Sequence, residues 1–213
     1  MEVKLIRYTP DPDELVGRAA AKCYASKSYD KARQHAMKSG HTSIAEHVTF
    51  TFEVAGVSRA LLSQITRHRH ASFSVESQRY VSMDDFQYVV PDSIKNDKEM
   101  LADYNMLMDD IKWFYQKAVC RGVPKEDARF ASPQAACTTF LITANARELL
   151  HFFSLRTCRR AQWEIRLLAR LMLEQCLEVA PKTFENAGPG CVRGKCPEGD
   201  KSCGKPMKSG IDE

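Results

Sequence analysis

The sequence predicts an α+β fold, a small mixed or antiparallel sheet with several packed helices, on three observations. Val48, Phe50, Phe52 and Val54 alternate with Thr49, Thr51 and Glu53, the period-two pattern of a half-buried strand. Residues 137–143 (C-T-T-F-L-I-T) are rich in β-branched side chains, which favour a pleated surface. The few strands are set among many helical segments without regular β-α alternation, which argues against a doubly wound sheet.

In order, a short strand is expected over Glu2–Tyr8, then helices over 13–24, after Pro10 and Pro12, and over 29–39, closed by Gly40. Residues 41–47 read as a helix N-terminus with Thr42 or Ser43 as its cap and Glu46 on the positive end of the dipole. Gly56 is expected to break the following strand. Ser58 then caps a helix running to about Arg67, and the chain passes into a polar, irregular segment. A long helix is expected over 97–120, with Trp113, Phe114 and its methionines inward and Gly122 as its stop. Gly122-Val123-Pro124 feeds a helix over 125–131 that Pro133 ends. Asn145 caps a helix over 146–153, and another spans 161–179 before Pro181. From Asn186 the composition turns to Gly, Pro and Lys with Cys191, Cys196 and Cys203. The expected organisation is thus a main domain over 1–185 and a cysteine-bearing tail over 186–213, outside the main core.

Composition limits the function classes. The 213 residues suffice for one domain with a real core, and 44% hydrophobic with 27% charged residues is ordinary for a soluble globular chain. A formal charge of +4 is too mild for a protein that coats nucleic acid, so any anion site is local. The start of the chain lacks the apolar core of an export signal, and no stretch reaches the roughly 18 apolar residues of a membrane span. The expectation is a cytoplasmic protein, with no membrane or nucleic-acid partner, whose eight cysteines are reduced.

The densest chemistry lies in Arg67-His68-Arg69-His70-Ala71-Ser72-Phe73-Ser74-Val75-Glu76-Ser77-Gln78-Arg79. Arginine forks onto phosphates and planar oxyanions and keeps its charge when buried. A solvated loop would carry such a run too. The apolar helix pattern leading into it (Ala60, Leu61, Leu62, Ile65) and the interleaved hydroxyls and aromatics favour a ligand pocket. Asn145 to Arg156 places Arg147 and His151 on one helix side, with Arg156 near it. Taken alone, the segment is better explained by a solvated Arg147–Glu148 pair and a core His151. There is neither a G-x-G-x-x-G after a strand nor a G-x-x-x-x-G-K-[ST], so phosphates must be held by side chains. His41, Glu46, His47 and His68 leave a metal hydrolase open, although His41 to His47 lacks the His-Glu-x-x-His spacing. Three tail cysteines are fewer than a structural zinc site usually takes, which favours a disordered tail but leaves metal or redox chemistry open. A nucleic-acid strip with His68 and Phe73 stacking on bases is the other alternative.

The pattern R-H-R-x7-S-x-R resembles the signature of the flavin-dependent thymidylate synthases. His41-x-Ser43-x-x-Glu46-His47, Gly122-Val123-Pro124-Lys125-Glu126-Asp127-Ala128-Arg129, and Asn145 through Arg156 followed by Ala161-Gln162-Trp163-Glu164-Ile165 resemble three further segments of that family, in order. The resemblance covers roughly residues 1–184. It implies the family's fold and a homotetramer with active sites between subunits. It also implies FAD as cofactor, dUMP as substrate, and NADPH and 5,10-methylenetetrahydrofolate as co-substrates, giving dTMP and tetrahydrofolate. Carried over by position, Ser43, Glu46, Arg67, His68, Arg69, Val75, Asn145, Ala146, Arg147 and His151 would contact FAD. Gln64, Ile65, Thr66, Arg67, Val75, Glu76, Ser77, Gln78, Arg79, Arg129 and Arg156 would hold dUMP. Arg156 would be catalytic, stabilising negative charge at N3 of the uracil and so activating C5. Val75 stands where relatives usually carry a polar side chain, so its contact would be through the backbone. His151 replaces an Asn of some relatives, and Arg160 lies where some carry a His.

Overall fold

The computed structural model describes residues 1–212. Four strands form one sheet in the order β1-β2-β4-β3, with β1 Glu2–Tyr8, β2 Thr49–Ser58, β3 Ala71–Val75 and β4 Cys137–Asn145. The register is antiparallel where cross-strand bonds fix it. Ala146 N–H donates to Val48 O at 2.9 Å, while the hydroxyls of Thr51 and Thr143 meet at 2.9 Å, so β2 ascends as β4 descends. Phe50, Phe52 and Val54 on β2, and Phe140, Ile142 and Ala144 on β4, are buried as their alternation predicts.

The described residues divide into two compact units. The first holds Met1–Glu2, Val54–Ile65 and Ser74–Phe140; the second holds Val3–Glu53, Thr66–Phe73 and the chain from Leu141 onward. In the second unit, α1 (Pro12–Tyr24) and α2 (Tyr29–Lys38) precede a 3-10 turn, Thr42–His47. The first unit carries α3 (Arg59–Ile65), α4 (Asp92–Lys95), α5 (Lys98–Cys120) and α6 (Lys125–Ala128). Its core joins Met108 and Tyr115 of α5 to Met83, Phe86, Ala128 and Ala136.

The second unit is completed by α7 (Ala146–Arg156), α8 (Trp163–Val179) and α9 (Pro181–Phe184). On α8, Ile165, Leu168, Ala169, Met172, Leu173 and Cys176 are buried, the spacing of one helix face. The Phe184 ring lies 5.5 Å from that of Phe50 and 5.8 Å from that of Phe153, both edge-on. Truncating a fully buried ring such as Phe153 to Ala costs about 3–5 kcal/mol. Gln175 of α8 accepts from Leu5 N–H at 2.5 Å and donates to Val3 O at 3.1 Å, so a side-chain amide occupies backbone groups on the sheet's edge strand.

Five sequence expectations change. Gly56 does not break β2 but sits inside it with φ +67°, a conformation glycine adopts without strain. The polar run after α3 is not irregular throughout, because Ala71–Val75 forms β3. Its alternation is masked by serines on the more exposed positions. Residues 41–47 form a 3-10 turn with no side-chain cap. Trp113 and Phe114 are 59% and 52% exposed, since α5 turns its Met108 and Tyr115 face inward and residues 113 and 114 lie about 200° and 100° around the helix from Tyr115. The tail is not wholly outside the core: Met207 is buried, and a Cβ on Gly210 would come within 2.6 Å of Leu173 Cδ2.

Candidate active site

Helix α7 orders the second unit's site, and its start is set locally. Asn145 ends β4 and its side chain accepts from Glu148 N–H at 2.9 Å, as the capping expectation requires. From there the helix presents two faces. Arg147, Leu150, His151 and Ser154 border a cavity of about 1330 Å³, shared with Asn145, Glu46, Thr42, His70, Arg33 and Arg193. Glu148, which also lines the cavity, is followed at four-residue intervals by Phe152 and Arg156, and these three meet His68.

On the cavity face, Arg147 donates to Glu46, a pair in which both side chains are about half exposed. On the buried face, His68 Nδ1 lies 3.0 Å from Glu148 Oε1, its ring stands edge-on to Phe152 at 5.0 Å, and Arg156 Nε donates to His68 Nε2 at 3.3 Å. His68 is only 6% exposed. Burial pulls its pKa below the ordinary histidine value and the Glu148 hydrogen bond opposes this, while Arg156 and His151 lower it further. Burial, then the charge of Arg67, likewise makes the charged form of Arg156 less favourable.

The first unit gathers a second cationic set. Arg79 Nε pairs with Glu126 Oε2 at 2.9 Å, and Gln78 Nε2 donates to Ser132 Oγ at 3.1 Å. Arg129 Nε donates to Glu126 O at 3.1 Å. Burial, then the charge of Arg129, depresses the pKa of Arg59, so the Arg129 guanidinium lies near enough to disfavour the charged form of Arg59. Ser77 Oγ accepts from Arg79 N–H at 3.3 Å, and Ser77 O accepts from Tyr80 N–H at 3.1 Å, folding Ser77 to Tyr80 into a turn.

The remaining residues expected at the site are placed as follows. Ser43, Arg67 and Arg69 are exposed, Ala146 is buried, and Thr66 is exposed at the end of α3. Ile65 is fully buried, so only its backbone could reach a ligand. Gln64 Nε2 donates to Ala60 O at 3.2 Å; Val75 is half-buried at the end of β3, and Glu76 N–H donates to Thr139 O at 2.9 Å. Arg160 is exposed and bound to Lys201 O. Sequence reasoning missed Glu148, Arg59, His70 and Arg193. The four-residue spacing of Glu148, Phe152 and Arg156 was a usable signal for the first. Nothing in local pattern marked the tail's Arg193, which donates to Asn186 O and Gly188 O at 2.8 and 3.0 Å beside the cavity.

Cys158, Cys191, Cys196 and Cys203 border a separate cavity of about 430 Å³. All eight cysteines are free, and among the described residues no group of three or more His, Cys, Asp or Glu is placed to hold a metal ion. Glu46 and His68, two members of the metal-hydrolase alternative, are engaged by Arg147 and by Glu148 and Arg156. No described helix is long and apolar enough to cross a membrane.

The structure is an α+β fold with a large cavity to which Arg33, Arg147, Arg193, His70 and His151 present cationic or hydrogen-bonding side chains. A family profile described as "thymidylate synthase complementing protein" matches residues 4–182. The flavin-dependent thymidylate synthase of Geobacter sulfurreducens is 46% identical, over 96% of this chain and 94% of the relative. That of Clostridium tetani is 41% identical over the same shares. A crystal structure of the Helicobacter pylori flavin-dependent thymidylate synthase, complexed with FAD and dUMP, superposes with a TM-score of 0.71. It shares 24% identity and the match covers 88% of this chain and all of that one, a likeness of fold. The chain belongs to the flavin-dependent thymidylate synthase family.

Proposed function

We propose that the protein converts dUMP to dTMP with FAD as cofactor, NADPH as reductant and 5,10-methylenetetrahydrofolate as one-carbon donor, releasing tetrahydrofolate. One observation carries the reading beyond family membership. Arg147 and His151 border the large cavity from one face of α7 and Arg156 ends the same helix, which supports flavin and nucleotide contacts there.

The cavity suits FAD in size and donor set. Its volume of about 1330 Å³ accommodates a dinucleotide; Arg147 and Arg193 supply cations for a diphosphate, and Met37, Leu150 and Val192 supply apolar wall for flat rings. FAD, when bound, would supply the redox chemistry that links NADPH to the transferred one-carbon unit. Ser43, Glu46, Arg67, His68, Arg69, Val75, Asn145 and Ala146 complete the proposed cofactor contacts.

Arg79 and Arg129, with Ser77 and Gln78, hold the dUMP phosphate and sugar; Gln64, Ile65, Thr66, Arg67, Val75 and Glu76 border the nucleotide. Arg156 faces the uracil, and its fixed charge stabilises negative charge at N3, which makes C5 a better nucleophile. Ser77 has no histidine–carboxylate pair recorded beside it and serves as a positioning hydroxyl. In a homotetramer these residues come from different subunits to complete each site.

The test is reconstitution. Protein incubated with FAD retains flavin through gel filtration, and with dUMP, NADPH and methylenetetrahydrofolate it forms dTMP and tetrahydrofolate in equal amounts. Failure to retain flavin, or production of dihydrofolate in place of tetrahydrofolate, overturns the reading.

A further inference from the structure

We propose that Glu148 is a positioning residue for catalysis, fixing Arg156 through a neutral His68. The inference rests on the proposed role of Arg156 and adds to it the group that holds the guanidinium in place.

Arginine has only donors. Arg156 Nε, 3.3 Å from His68 Nε2, therefore requires a lone pair on that ring nitrogen. A neutral imidazole with its acceptor at Nε2 carries its proton on Nδ1, and Nδ1 points at Glu148 Oε1 3.0 Å away. The carboxylate thus selects the one tautomer that can accept from Arg156. A protonated His68 would turn a second N–H toward the guanidinium and release it.

The surroundings keep the ring neutral. Every titratable or charged group recorded facing His68 comes from α7: Glu148, His151 and Arg156. Phe152 covers the ring from the same helix. Burial, Arg156 and His151 all disfavour imidazolium, and only Glu148 favours it. Glu148 itself is only 7% exposed and sits at the third position of α7, where the helix dipole favours a carboxylate. A glutamate capped this way commonly folds back on the helix start. Here it is turned to His68, which removes the ring's freedom to choose its tautomer.

Glu148→Gln tests this with little change of shape. Gln can donate as well as accept, so it no longer imposes the Nδ1–H tautomer. Flavin content, melting temperature and KM for dUMP should stay near wild type. kcat for dTMP formation should fall roughly 10- to 100-fold, the range that loss of a supporting partner costs at other sites, and the acid limb of the kcat profile should move to lower pH. In an Arg156→Ala background the same substitution should cost nothing further. Should Glu148→Gln fail to fold, Glu148→Asp carries the test: it keeps the carboxylate, and should lose less than 10-fold in kcat without a change in KM.

Unchanged kcat and pH profile, a change confined to KM or flavin content, or full additivity with Arg156→Ala would overturn the inference. A wild-type protein that forms no dTMP fails the proposed function instead, so the two failures are distinguishable.

Discussion

Arg147 and Glu46, 101 residues apart, are joined at the rim of the large cavity, and the pair is half exposed on both sides. A pair this wet is worth about 0–1 kcal/mol of stability. Its consequence is for binding, because Glu46 holds a guanidinium beside the cavity. Arg147→Ala should shift the melting temperature by no more than about 4 °C. It should weaken FAD binding roughly 10- to 100-fold, the worth of a charge-assisted hydrogen bond to phosphate. Fluorescence titration of FAD measures both arms of the claim, since FMN, which has no diphosphate, should lose less.

In the first unit, burial and then the charge of Arg129 disfavour the charged form of Arg59, a cost that a bound anion relieves. Arg129→Ala should raise the Kd for dUMP about 10-fold or more and leave binding of deoxyuridine unchanged. Calorimetry with the two ligands decides this, and equal losses for both would mean that Arg129 does not read the phosphate.

The sequence carried the fold where packing is local and periodic. The alternation from Val48 to Val54, the Ser58 and Asn145 caps, and the apolar face of α8 all have their expected counterparts. It failed where tertiary contacts decide. Gly56 reads as a breaker because its tolerance of positive φ inside β2 is invisible in composition. Serines interrupt the apolar pattern of β3, and Gly210 packs on Leu173 although its segment reads as a tail outside the core. For the site, residue types were legible but partnerships were not. Arg147 and Glu148 look like one solvated pair, yet they diverge, Arg147 to Glu46 on the rim and Glu148 to His68 in the interior. Adjacent helix positions lie 100° apart, and only the fold says what each one meets.

His68 also makes stability depend on pH. Its pKa in the folded protein lies below the ordinary value near 6.5, with burial as the largest cause. Between the folded and unfolded values the unfolded chain therefore binds more protons, so stability falls as pH drops through that window. The contribution is complete above about pH 6.5 and is lost as pH falls through the folded pKa. Thermal melts from pH 7.5 to 5 should show a declining melting temperature. His68→Asn should start lower at pH 7.5 and decline less steeply, and a parallel decline would assign the effect to other groups.

Helix α5 carries the last prediction. Met106, Leu107, Trp113 and Phe114 are all more than half exposed, while Met108 and Tyr115 of the same helix fill the first unit's core. A helix with apolar residues beyond its core face exposes area that soluble monomers seldom leave open. The proposed homotetramer gives that area a partner. Replacing Trp113 and Phe114 together by Ser removes two large apolar surfaces without touching Met108 or Tyr115, so each subunit should keep its fold and its circular dichroism. The assembly should then shift toward dimer or monomer in light scattering at micromolar concentration, with activity falling in proportion because each site would draw residues from more than one subunit. A tetramer of undiminished stability would place these two rings outside the subunit interface.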